Sequence, residues 1–304
     1  MKNAANIINY ILVRLNLNSM KCLLCPNGCN IDKTKEKGAC GTDDKIRIAK
    51  YYLHPFEEPL ISGTKGSGTV FFCGCSLRCV FCQNYELSRN ERGKEITVLD
   101  LANIFKELEN MGAHNINLVN PTHYSNQIIK ALQIYKPSIP IVYNTHGYEN
   151  IEIISKMNDY IDVYLPDIKY FSPAISLRYT GKDNYFEKAS KAIEFMIKSK
   201  PIIIGDDGLI KQGVIVRHLI LPQCTADSKH ILDWYVPLKD DAFINVMSQY
   251  TPFGKIENFP ELQRKITKRE YNIVLDYAMS LGIEKMFYQE LNSADEKYIP
   301  KWDY

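Results

Sequence analysis

The run Thr69-Val70-Phe71-Phe72-Cys73-Gly74-Cys75-Ser76-Leu77-Arg78-Cys79-Val80-Phe81-Cys82-Gln83-Asn84 carries the most information in this chain. Residues 69–73 are apolar and aromatic, as in a strand covered on both faces. Directly after them Cys75, Cys79 and Cys82 form a C-x3-C-x2-C triplet. Three thiolates on one tight loop can hold three irons of a cubane cluster and leave the fourth iron an open site. Ferredoxin-type clusters take four cysteines, so the triplet implies that something other than protein binds the last iron. The competing reading is a zinc loop that borrows its fourth ligand from Cys73 or a distant residue.

On either side, from about residue 66 to 252, short apolar runs alternate with helical patterns. The runs predict strands at 69–73, 116–120, 139–144, 163–168, 214–221 and 243–248. Helices are predicted at 99–111, 126–134, 151–157, 185–197 and 229–235. In the first of these, Leu101, Ile104, Phe105 and Leu108 make one buried stripe. Six β-α repeats give an α/β fold with a parallel sheet, either open and doubly wound or a partial (β/α)6 barrel of the TIM type. In both, chemistry belongs at the C-terminal ends of the strands, where Cys75, Asn120, Asn144, Asp167, Arg217, His218 and Gln249 fall. The expected organisation is an N-terminal helix at 1–19, a Cys-rich metal-binding segment at 20–60, the core at 61–252 and a helical extension at 253–304, with its helix near 268–281.

Composition sets limits. The chain has 304 residues, 37 Lys and Arg against 35 Asp and Glu, and 45% hydrophobic residues. A chain of this size buries about 75% of its unfolded surface, so no disulfide framework is required. The net charge of +2 gives no bias toward nucleic acid or an anionic membrane, and no run approaches the ~20 apolar residues of a membrane span. The apolar stretch 7–15 lacks a small-residue cleavage site and carries Arg14, which argues against a signal peptide. Eight of the nine cysteines lie between Cys22 and Cys82. That odd, clustered set points to metal or cluster ligation in a reducing cytoplasm.

The triplet and its flanks, GSGTVFFCGCSLRCVFCQNYELS, resemble the radical S-adenosylmethionine superfamily and, within it, the pyruvate formate-lyase activating enzymes. The resemblance implies a four-iron four-sulfur cluster whose open iron is chelated by S-adenosylmethionine. One electron then cleaves the sulfonium to methionine and a 5′-deoxyadenosyl radical, which abstracts hydrogen from a substrate. It implies anaerobic chemistry, a reductant such as flavodoxin or ferredoxin, and a protein or peptide substrate, with activation of a glycyl-radical enzyme as the working expectation. Modification of another protein, peptide or metabolite is the runner-up. A reading from another class is an electron-transfer or interaction protein in which the triplet only mounts a cluster or zinc.

Carried over residue by residue, Phe81 packs near the adenine, or is an ordinary core aromatic. Lys169 pairs with the cofactor carboxylate, and Asn144, Thr145 and Asp167 complete a polar pocket. Asn144 stands where the family usually has an acid. The family's Gly-Gly-Glu is replaced by Asn120-Pro121-Thr122, leaving Asn120 or Thr122 to meet the cofactor ammonium with no carboxylate beside it. Arg217 is the expected catalytic clamp, because only one of Arg217 and His218 can face inward on a strand. Gln249 ends the sixth strand as a nucleoside contact. Finally, Cys22, Cys25, Cys29 and Cys40, spaced C-x2-C-x3-C-x10-C, suit zinc as a structural knot or a second iron–sulfur cluster.

Overall fold

The computed structural model describes residues 21–89 and 93–288. The expected helix at 1–19 and the end of the C-terminal extension lie outside the described residues.

Seven parallel strands form the body. In sheet order they are β2 (Ser67–Phe72), β4 (Ile116–Val119), β5 (Ile141–Thr145), β6 (Val163–Pro166), β8 (Ile210–Leu219), β9 (Phe243–Met247) and β10 (Met286–Tyr288). All six expected strands are present, and β10 adds a seventh. Beyond β2 the sheet continues antiparallel through β1 (Ile46–His54) to β3 (Lys94–Ile96), and β7 (Ile203–Ile204) pairs with β8. The fold is the α/β arrangement expected, a partial barrel of parallel strands wrapped by helices.

The helices form where the sequence supplies a stripe and a cap. Val98–Asn110 buries Leu101, Ile104, Phe105 and Leu108 and starts with a reciprocal capping box between Thr97 and Asp100. Lys268–Ser280 starts with the same device at Thr267 and Glu270. Pro173–Thr180, which the periodicity did not reveal, is set by local chemistry instead. Ser172 caps it, Pro173 takes its first position and Gly181 ends it in the left-handed conformation.

Between β1 and β2 the chain makes a plug. The short helix Pro59–Ser62 carries Ile61, which packs against Val142, Val163, Leu165, Ile210 and Ile215 of the strands. This plug delivers Glu57 and Glu58 to the strands' interior side.

Candidate active site

Cys75, Cys79 and Cys82 leave β2 on a loop tied down on both sides. Cys75 N donates to Cys40 O (3.1 Å) and Val80 N to Tyr179 O (3.0 Å). Gly74 makes this approach possible: its φ is +87°, and a Cβ there would lie 2.3 Å from Thr42 Cγ2. Cys75 Sγ accepts from Arg78 N (3.5 Å) and Cys79 Sγ from Tyr170 Oη (3.5 Å). Burial pushes all three thiols up to about 11. A coordinated metal reverses that preference, because it deprotonates a thiol outright.

The three cysteines line a cavity of about 660 Å³, and Phe81, Asn120, Asn144, Thr145, Asp167, Lys169, Arg217 and Gln249 line it too. The structure thus gathers the three cluster cysteines and all eight core residues expected at the cofactor or substrate. The parallel sheet explains why: residues in register at the carboxyl ends of adjacent strands converge on one mouth.

Their bonding differs. Arg217 Nε donates to Asp167 Oδ1 (2.8 Å), Nη1 to Glu57 Oε1 (3.0 Å) and Nη2 to Asn144 Oδ1 (2.7 Å). Lys169 Nζ donates to Asp167 Oδ2 (2.6 Å) and has two further N–H groups to offer. Burial alone would raise the Asp167 carboxyl, but Arg217 and Lys169 beside it hold it below the usual carboxylate range. His218 turns away from the cavity, bonded to Ile168 O and Ser228 Oγ (both 2.8 Å). Asn120 Nδ2 donates to Gly74 O (2.5 Å), and the Thr145 hydroxyl donates to Glu149. Gln249 Nε2 makes a long contact with Met247 Sδ (3.5 Å). Phe81 meets Tyr170, Tyr179 and Tyr250 edge to face, with centroids 6.4, 5.9 and 5.7 Å away.

Sequence reasoning missed three cavity residues. Glu57 Oε2 accepts from Asn144 Nδ2 (3.0 Å) and Asn117 Nδ2 (2.9 Å), which brings a carboxylate to the position where Asn144 replaces an acid. Glu58 accepts from Asn245 Nδ2 through both oxygens (2.9 and 2.8 Å), and burial, with Arg217 working against it, raises it to about 7. The run Pro55-Phe-Glu-Glu-Pro59, two acids between prolines ahead of an apolar Leu-Ile, was the available signal. His146 bonds Ser76 Oγ (2.8 Å), and burial lowers it to about 4, so it is neutral near pH 7.

Of the remaining candidates, Cys22, Cys25, Cys29 and Cys40 lie outside this cavity, in the segment behind the cysteine loop. Cys73 is fully buried against Phe71 and Leu87 and does not line the cavity. Among the described residues, no group of three or more His, Cys, Asp or Glu is gathered closely enough to hold one metal ion. No helix among them is long and apolar enough to cross a membrane.

Residues 69–212 match the profile of the Radical SAM superfamily, which bears out the resemblance drawn from the triplet. The chain is 29% identical over 88% of its length to an uncharacterized protein of Methanocaldococcus jannaschii, MJ0674, covering 76% of it. It is 27% identical over 81% of its length to the pyruvate formate-lyase-activating enzyme of Clostridium pasteurianum, covering 96% of that protein. Among solved structures, Streptococcus suis SuiB aligns with a TM-score of 0.49 at 16% identity over 73% of this chain, which spans about half (49%) of SuiB. A domain of the pyruvate-formate lyase-activating enzyme from Bacteroides vulgatus aligns at 0.37 and 11% identity, over 64% of this chain and 91% of that one.

Proposed function

From the premise that residues 69–212 form a radical S-adenosylmethionine domain, we propose that the chain is an enzyme that cleaves S-adenosylmethionine reductively and uses the product radical on a protein or peptide substrate. One observation carries this reading: three thiols and the polar strand ends line one cavity of about 660 Å³. Bound there, a four-iron four-sulfur cluster and S-adenosylmethionine supply the chemistry, a one-electron cleavage to methionine and the 5′-deoxyadenosyl radical.

The protein's part is placement. Cys75, Cys79 and Cys82 hold three irons. Lys169, with two N–H groups to spare beyond Asp167, takes the cofactor carboxylate through charge-assisted bonds. Asp167, Asn144 and Glu57 hold Arg217 by three hydrogen bonds. Arg217 therefore acts as a positioning residue that orders the polar floor, rather than as the free clamp expected. Phe81 and its three tyrosines make an apolar wall that limits water around the radical. Nine cysteines without a disulfide suit a reducing cytoplasm and an electron donor such as flavodoxin or ferredoxin.

The activating-enzyme relative from Clostridium supports a glycyl-radical enzyme as the substrate, with a backbone glycine Cα–H as the hydrogen donor. The test is anaerobic incubation of cluster-loaded protein with S-adenosylmethionine, reductant and a candidate glycyl-radical enzyme, read by electron paramagnetic resonance. A glycine-centred radical formed in step with 5′-deoxyadenosine is expected. Consumption of S-adenosylmethionine with no such radical across the available candidates would move the substrate to another protein, peptide or metabolite.

A further inference from the structure

The cysteine segment before β1 has no part in the cavity, yet it is built against the loop that does. Cys40 O receives Cys75 N (3.1 Å), Asn27 Nδ2 donates to Ser76 O (2.8 Å), and Arg78 Nη1 donates to Ala39 O (3.4 Å). The segment therefore touches the catalytic loop at three points, Cys75, Ser76 and Arg78, two of them between Cys75 and Cys79.

Its own cysteines are drawn together by turns. Cys22 N bonds Ile31 O (2.7 Å) and Asn30 N bonds Cys22 O (3.1 Å), which folds the chain back between Cys22 and Cys29. Gly38 lies close to two of the sulfurs: a Cβ there would be 3.5 Å from Cys40 Sγ and 3.6 Å from Cys29 Sγ. Cys22 lies within electrostatic reach of Cys29 and Cys40, and Cys25 within reach of Cys40. Donors already point at the sulfurs, as around a metal thiolate: Ala39 N to Cys29 Sγ (3.2 Å) and Asn27 Nδ2 to Cys25 Sγ (3.4 Å). The buried Lys33 ammonium donates to Thr42 Oγ1 (3.1 Å) and His123 O (3.3 Å) and lies 4.0 Å from Cys40 Sγ, which puts a positive charge beside this sulfur.

We infer that Cys22, Cys25, Cys29 and Cys40 hold a second metal centre, an iron–sulfur cluster adjoining the catalytic loop. Four thiolates are a full set of protein ligands for a cubane, so this centre has no open iron and is a structural or electron-carrying partner of the first. The spacing separates cluster from zinc. Zinc with ~2.3 Å bonds in a tetrahedron draws its sulfurs to about 3.8 Å from one another. A cubane holds each thiolate on its own corner iron, farther apart. Among the described residues, no three of these cysteines gather around a single-ion position.

The inference adds to the function proposed above, and its test is independent of turnover. The readout is iron, zinc and acid-labile sulfide in anaerobically reconstituted protein, with the resonance spectrum after dithionite reduction. In the Cys75→Ala/Cys79→Ala/Cys82→Ala variant, about four irons per chain and a reduced-cluster signal are expected. In Cys22→Ser/Cys25→Ser, about four irons held by the triplet are expected to remain, and the unaltered chain should bind about eight. About one zinc and no iron in the triplet variant would overturn the cluster assignment, and neither metal would overturn the site. If the triplet variant fails to fold, the unaltered chain decides: four irons with one zinc, or four irons alone, contradict the inference. A failed radical reaction with eight irons bound would count against the function and leave this centre standing.

Discussion

The molecule contains two cysteine loops that a composition count treats alike, and the fold treats them differently. The triplet Cys75–Cys82 follows a strand that is buried throughout, faces a cavity and is walled by aromatic rings. The segment Cys22–Cys40 contributes no strand to the sheet. Turns with Gly28 at φ +50°, Asn30 at +55° and Gly41 at +82° shape it, and Cys22 and Cys29 are half-exposed. The first loop takes its geometry from the barrel. The second takes its geometry from local turns and from whatever its sulfurs hold. Thiol number therefore says little about role, while attachment to a strand end says a great deal.

The sharpest way to break this contrast is at the junction. Gly74→Ala places a Cβ 2.3 Å from Thr42 Cγ2 and 3.0 Å from Cys40 O at φ +87°, so strain and overpacking together should cost about 2–5 kcal/mol. Denaturant unfolding of the purified variant measures it, and unchanged stability would mean that the two loops are not pressed together.

A buried acid at the same seam should give a pH-dependent effect. Glu149 accepts from the Thr122 and Thr145 hydroxyls, and burial pushes it up to about 7 despite those bonds. Between its ordinary value and 7 the unfolded chain loses the proton while the folded chain keeps it, so stability falls as pH rises through this window and then levels off. The loss should be about 3 kcal/mol. Glu149→Gln should make the fall between pH 4.5 and 8 shallower, leaving the share of Glu58, which burial also raises to about 7, measured by the same unfolding experiment; a variant with the original slope would remove Glu149 from it.

Within the cavity, Lys169→Ala should weaken S-adenosylmethionine binding by about 1.5–3 kcal/mol, roughly 10- to 150-fold in Kd. An unchanged dissociation constant in cluster-loaded protein would remove Lys169 from the carboxylate. The smallest effect is expected at Gly41→Ala, where nothing lies within 4 Å of the added Cβ. Only the left-handed backbone is strained there, a cost of about 1 kcal/mol. A loss as large as at Gly74 would mean that the N-terminal turns are packed more tightly than the structure places them.

The sequence made the barrel legible where burial imposes a repeating pattern. Six parallel strands read as apolar runs, and their ends converge because the sheet is in register. β10 has only three residues, too few for a periodicity. β1 mixes Arg47, Lys50 and tyrosines, because one of its neighbours is the short edge strand β3 and much of its surface is only half-buried. The site was legible to the same extent. Asp167, Lys169 and Arg217 stand at strand ends, where chemistry is expected. Glu57 and Glu58 reach the cavity from a plug, and nothing local to Pro55–Pro59 says that this turn enters the barrel. Their place depends on Asn117, Asn144, Arg217 and Asn245, which lie about 60 to 190 residues away in the chain. Such contacts leave no periodic trace.

The central claim is that the strand-anchored triplet and its cavity carry radical chemistry. Its most direct test is chromatography for 5′-deoxyadenosine after anaerobic incubation of cluster-loaded protein with S-adenosylmethionine and dithionite. The expected result is product from the unaltered chain and none once Cys75, Cys79 and Cys82 are replaced by alanine. Product that persists in the triple variant would contradict the claim.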